Sequence, residues 1–196
     1  MADVAAVHAI VADEGLVDAV RAGDRAAFSL LVDRHHAPLL RYLLRQMGDP
    51  ELAADLTQET LLEAFRHLDH LDRDRPFAAW LYGIARNHVR MEYRRRRLRR
   101  LVSLEWLLEP LMPIVPTLQR TDETASCDER DAIQRALDEL PPAFREALLL
   151  HSLEGYTAPE VARIVGISLA AAERRISRAK LQFRDRYRAL NGEDPS

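Results

Sequence analysis

Three groups of side chains in this 196-residue chain have the types and spacing to do chemistry. Asp55, Gln58 and Glu59, with Leu62 one turn further on, share one face if their segment is helical. Two carboxylates and an amide so placed can take forked hydrogen bonds from arginines of a partner helix, with Leu62 as an apolar anchor. Between Arg86 and Arg100 stand eight arginines and one acid, Glu92, a cation density that suits a phosphate backbone. Further on, Ser168, Ala171, Glu173, Arg174, Arg175 and Arg178 are spaced as in the second helix of a helix-turn-helix, where such side chains reach base edges and phosphates. The bland reading of each charged set is a solvated helix face, so their context has to decide. Two modest contacts on one polymer add through effective concentration, and the chain reads as a two-point binder of nucleic acid.

No other chemistry is indicated. There is no phosphate-cradling glycine loop and no nucleophile with a paired base, and His35, His36, His67, His70, His88 and His151 lack ligand-like spacing with acids or cysteines. The expectation is a protein without catalytic activity, metal or cofactor. The single cysteine, Cys127, excludes an internal disulfide framework and fits a reducing cytosol. The N-terminus carries Asp3, Asp13 and Glu14 and has neither a basic leader nor a long apolar run, so neither secretion nor membrane insertion is expected. Lys180 is the only lysine, which reads as coding composition more than function.

These residues need a scaffold, and 47% hydrophobic content over 196 residues is enough for two small helical cores. The net charge of -3 hides an asymmetry, since acids crowd Asp49 to Glu63 and Asp122 to Asp131 while cations crowd Arg86 to Arg100. An acidic surface beside a basic one implies a basic partner in addition to nucleic acid.

Apolar residues recur at three and four almost throughout, so the expected fold is all-α, two small helical domains joined by a flexible linker. A first helix spans about 15–22, and Asp24 caps a second in which Pro38 marks a kink or break. Asp49-Pro50-Glu51 starts a third, with Leu52, Leu56, Leu61, Ala64, Phe65 and Leu68 inward. After a polar loop, Phe77, Trp80, Leu81, Ile84, His88 and Val89 form the stripe of a fourth, with Trp80 read as core rather than as a stacking platform; its end dissolves into arginines. Residues 101–125 lose periodicity and carry Pro110, Pro113 and Pro116, which makes them the linker, unusually apolar with Trp106, Leu107, Leu108 and Leu111. Order resumes at a capping box, Ser126 to Glu129, and Pro141-Pro142 separates two further helices. Thr157 to Glu160, another capping box, opens the helix-turn-helix, in which Ala162 permits close approach, Gly166 makes the turn and Ser168 caps the recognition helix. Domains are expected at 15–100 and 126–190, with an extension at 1–14 and a tail at 191–196.

With these motifs placed, the chain resembles an extracytoplasmic-function (ECF) σ factor, the compact two-domain class of bacterial RNA polymerase specificity subunit. Asp55-Leu56-Thr57-Gln58-Glu59-Thr60 is similar to the family's DxxQE segment, and Phe77 to Asn87 is similar to its FxxWLYxIAxN stretch. The resemblance implies that Asp55, Gln58, Glu59 and Leu62 dock on the β′ clamp of core polymerase. It implies that the loop of about Asp69 to Arg75, with Asp72, Arg73 and Arg75, holds an unstacked base of the minus-10 element. Asn87 would lie near that strand, and Arg86, Arg90, Arg94 and Arg97 on phosphates. The recognition helix would read the minus-35 element through Ser168, Ala171, Glu173, Arg174, Arg175 and Arg178, with the β flap as a further contact of the polymerase. Many relatives have a lysine-serine-arginine run where this chain has Glu173-Arg174-Arg175. Glu173 opposes phosphate but can accept from a cytosine amino group, so it either retunes or weakens this contact. Promoter DNA, core polymerase and an anti-σ factor are the implied partners, and the cytoplasm, at the nucleoid when in holoenzyme, the implied location. The other functional class that fits is a stand-alone helix-turn-helix regulator with a helical sensing or dimerisation domain, which would bind duplex DNA by itself.

Overall fold

A computed structural model describes residues 12–106 and 126–191, with the side chains of 100–106 and 126–128 left aside. Among the described residues there are eight α-helices and no strand: α1 (Asp13–Arg21), α2 (Arg25–Met47), α3 (Pro50–His67), α4 (Phe77–Trp106), α5 (Ser126–Asp138), α6 (Pro142–Leu148), α7 (Ala158–Val165) and α8 (Leu169–Leu190). A 3-10 turn, Leu68–His70, follows α3, and a single π turn, Leu149–Leu153, prolongs α6.

Local chemistry sets the starts of these helices. The Asp24 carboxylate accepts from the Ala26 amide and the Asp49 carboxylate from the Leu52 amide, each satisfying an otherwise orphaned N–H. At α7 the Thr157 amide and hydroxyl both donate to Glu160, at 2.8 and 2.6 Å, closing the expected box. These bonds hold the Glu160 carboxyl below its usual range. Gly166 then turns the chain at φ +70°, and the Ser168 hydroxyl accepts from the Ala171 amide at 3.3 Å to open α8. Ser168→Ala is expected to cost about 1 kcal/mol, read as a fall of roughly 2–4 °C in the melting temperature of a chain this size.

Three expectations change. The second helix runs unbroken through Pro38, because Leu31, Leu39, Tyr42 and Leu43 are buried on both sides of it and packing offsets the one backbone bond that proline removes. Phe65, expected inward, remains 38% exposed and lies tilted at 58° to Phe28 with ring centroids 4.9 Å apart, while Leu52 is only half-buried. The buried places go instead to Thr57 and Thr60, whose hydroxyls donate to the Ala53 and Leu56 carbonyls one turn back and so enter the core satisfied. Finally, α4 does not stop at the arginines; it continues to Trp106. The prolines expected to form the linker lie outside the described residues.

The first four helices pack around Leu31, Leu39, Leu43, Leu56, Phe77 and Leu81, and the last four around Leu137, Leu148, Leu150, Val161, Val165 and Ile176. The two halves do not stand apart. α4 packs on α7, and α2 meets α5, α6 and the π turn, so that the buried apolar side chains form one continuous cluster.

Candidate polymerase and nucleic-acid surfaces

Helix α3 presents Asp55, Gln58, Glu59 and Leu62 to solvent together, Leu62 at 48% exposure. Its inner face is fixed by Leu56, Leu61 and Ala64, so a shift of one residue would bury a carboxylate. The stripe expected on α4 holds at Phe77, Leu81, Ile84 and Val89, with Trp80 half-buried and packed on the core. His88, expected on that stripe, has a different role: Nδ1 lies 3.4 Å from Glu59 and Nε2 3.0 Å from Glu63, so α4 clips onto the outer face of α3. Spacing missed the pair because the acids are on another helix. His35 is likewise joined to Asp13 at 2.7 Å, and Arg34 also bonds that carboxylate.

The arginine run divides by helix face. Glu92, with a side chain only 7% exposed, gathers Arg99 at 2.7 Å, Arg96 at 3.3 Å and Arg95 at 3.9 Å. Asn87, Arg90, Arg94 and Arg97 are exposed along the remaining face, at steps of three and four that stack them in one row, with Arg90 at the rim of the cleft that holds Glu146. The run is therefore both an exposed cationic row and a cluster of three arginines around one buried carboxylate. Glu92→Ala should uncouple that cluster and destabilise the chain by about 2 kcal/mol, seen as a melting temperature lower by roughly 4–8 °C; an unchanged value would show the carboxylate to be merely solvated.

The loop after α3 exposes Asp72 and Arg73, and its backbone is held by a residue that sequence reasoning overlooked. Arg21, at the end of α1, donates from Nη2 to the carbonyls of Leu68, at 3.3 Å, and Leu71. Nothing in the spacing of Arg21 announces this, since its partners are 47 and 50 residues away. Arg75 is turned inward. Its Nη2 reaches the Ala79 carbonyl at 3.4 Å over Gly83, where any Cβ would come within 2.9 Å of it. Burial, with Arg163 of α7 nearby, lowers its pKa. Asp72, Arg73 and Arg75 still line one small hollow against α1, about 80 Å³ in volume.

In the helix-turn-helix, Ser168, Glu173, Arg174 and Arg178 are exposed, and Ala171 and Arg175 are half-buried. Ala172, Ile176 and Ala179 hold the other face of α8 in the core. Arg86 does not face outward with its row: its Nε lies 2.8 Å from Glu146 of α6. A cleft of about 280 Å³ between the halves is lined by Arg86, Arg90 and Arg175 around that carboxylate, with Gln46 and Tyr93 at its back.

An acidic exposed face, a cationic helix row and a helix-turn-helix on a helical scaffold are the marks of a protein that joins a protein partner to nucleic acid. The comparisons make this specific. Residues 31–99 match the model of Sigma-70 region 2, and residues 130–183 that of Sigma-70, region 4. The chain is 34% identical over 177 residues to the RNA polymerase sigma factor CnrH of Cupriavidus metallidurans, covering 88% of this chain and 92% of that one. It is 30% identical over 171 residues to the ECF RNA polymerase sigma factor SigM of Mycobacterium tuberculosis, covering 87% and 82%. The structure of CnrH in complex with the cytosolic domain of CnrY superposes with a TM-score of 0.68 at 31% identity, over 94% of this chain and 100% of that one. The chain belongs to the ECF family of RNA polymerase sigma factors, and it is a promoter-recognising sigma factor.

Proposed function

We propose that Asp55, Gln58, Glu59 and Leu62 bind core RNA polymerase at its β′ clamp, and that the loop at Asp72 and Arg73 with Asn87, Arg90, Arg94 and Arg97 engages and helps melt the minus-10 element. Arg75 and Arg86 join that surface once released from their present partners. The C-terminal domain reads the minus-35 element through Ser168, Ala171, Glu173, Arg174, Arg175 and Arg178 and meets the β flap. The domains are those of residues 15–100 and 126–190. The chain itself needs no catalytic group for this work, because polymerase supplies the nucleotide chemistry.

One observation carries the reading. His88 joins the docking face of α3 to α4 directly beside Asn87, so polymerase contact and strand contact are rigidly linked within one small domain. Docking on polymerase thereby positions the strand-reading face, as melting at a fixed place in the holoenzyme requires. CnrH forms a complex with the cytosolic domain of CnrY, and the further partner we propose for this chain is an anti-σ factor that binds it in a comparable complex. Among the described residues no helix is long and apolar enough to cross a membrane, and we assign the chain to the cytoplasm, at the nucleoid when in holoenzyme.

The test is transcription from a promoter library by core polymerase with and without the chain, with sequencing of transcript 5′ ends. A set of starts that share two spaced elements and need the chain is the expected result. Duplex binding by the chain alone, with no polymerase-dependent starts, would establish the stand-alone regulator instead.

A further inference from the structure

The contact between the two halves combines apolar packing with ionised and hydroxyl-bearing side chains. Arg145, only 6% exposed, donates from Nη1 to the Gln46 carbonyl at the end of α2, at 2.8 Å, and to the Tyr93 hydroxyl at 3.3 Å. The Tyr82 hydroxyl donates to Glu154 at 2.6 Å, and Arg41 lies 3.7 Å from the same carboxylate. Glu146, with a side chain 13% exposed, holds Arg86 at 2.8 Å. Such groups are costly to bury and well solvated when released.

This closed arrangement carries unpaid polar costs. Gln46 Oε1 and Arg145 Nε are buried without a hydrogen-bond partner. Burial raises the pKa of Glu146 even though Arg86, Arg175 and Arg90 all pull it down. An interface of this kind can release when a better ligand for its cations arrives.

We propose that the chain carries an internal latch, in which Glu146 of the C-terminal domain occupies the Arg86 guanidinium that a minus-10 phosphate takes in the open form. Closing and strand engagement then exclude one another. Arg90 and Arg175 face the same carboxylate, so closing also turns part of the minus-35 surface toward the cleft. The DNA half of this statement rests on the function proposed above; the latch itself rests on geometry alone.

The test uses the full chain in four forms: wild type, Glu146→Arg, the charge-swapped pair Arg86→Glu with Glu146→Arg, and Glu129→Arg. The last makes the same change of net charge at an exposed site on α5. Small-angle X-ray scattering should give the wild type a radius of gyration near roughly 16 Å, as for one compact body of its length. Glu146→Arg should raise it by several Å at unchanged helix content, and the swapped pair should restore it. Affinity for a single-stranded minus-10 oligonucleotide, without polymerase, should rise roughly fivefold or more in Glu146→Arg relative to Glu129→Arg, since a mostly closed chain binds in proportion to its open fraction. An unchanged radius overturns the latch, and expansion without a gain over Glu129→Arg overturns its competition with DNA. Failure of the functional reading shows elsewhere: Arg86→Ala would leave promoter binding by the holoenzyme unaltered, whatever the radius.

Discussion

Replacing Gln58 and Glu59 together by alanine is expected to weaken binding to core RNA polymerase by on the order of 30-fold or more, the loss usual when a charged, hydrogen-bonded group is cut from the centre of an interface. Both side chains are exposed and neither contributes to the helical core, so helix content should stay close to that of the unsubstituted chain. Glu59 has one internal partner, His88 at 3.4 Å, and Glu63 retains the other nitrogen of that ring at 3.0 Å. The clip between α3 and α4 thus survives the substitution, which separates lost docking from lost fold. Fluorescence anisotropy of the labelled chain titrated with core enzyme reads the effect. Equal affinity of variant and wild type would mean that the acidic face is only solvated, and the docking assignment would fail.

Replacing Arg94 and Arg97 by alanine in the holoenzyme should lower promoter affinity and flatten its dependence on salt. Each phosphate contact contributes about 0.7–0.9 to the slope of log affinity against log salt, so two lost contacts should reduce that slope by about 1.5. The discriminating control is Arg95→Ala with Arg99→Ala. Those guanidinia lie around Glu92, and their loss should touch stability more than the slope. A slope unmoved by Arg94→Ala and Arg97→Ala, or moved equally by the control pair, would remove the outward row from the interface. The contrast between neighbouring arginines is the useful part, since a general change of charge would move both pairs alike.

Much of this was legible in the chain. Periodicity placed the helices, and capping residues at Asp24, Asp49, Thr157 and Ser168 placed their starts, because both depend on neighbours within one turn. The exposed face of Asp55, Gln58, Glu59 and Leu62 on α3 followed for the same reason, since a helical face is fixed by spacing once its apolar side is known. Pro38 does not break its helix, because burial on both flanks holds the chain helical through it. The apolar pattern of the sequence gives Thr57 and Thr60 no place, and each enters the core by bonding one turn back.

The sequence alone determined the kind of protein: helices with defined starts, an acidic face, an arginine-rich helix and a helix-turn-helix, each written in residues a few places apart. Only the tertiary structure decided which charges are available. His88 clips α4 to the acidic face of α3, Arg21 fixes a loop 47 residues away, Arg75 turns inward over Gly83, and Glu146 covers Arg86. The physical reason is range. Helix propensity and capping act within a turn, whereas the partner of a charge is whatever packing brings within about 4 Å of it, and no spacing along the chain encodes that distance.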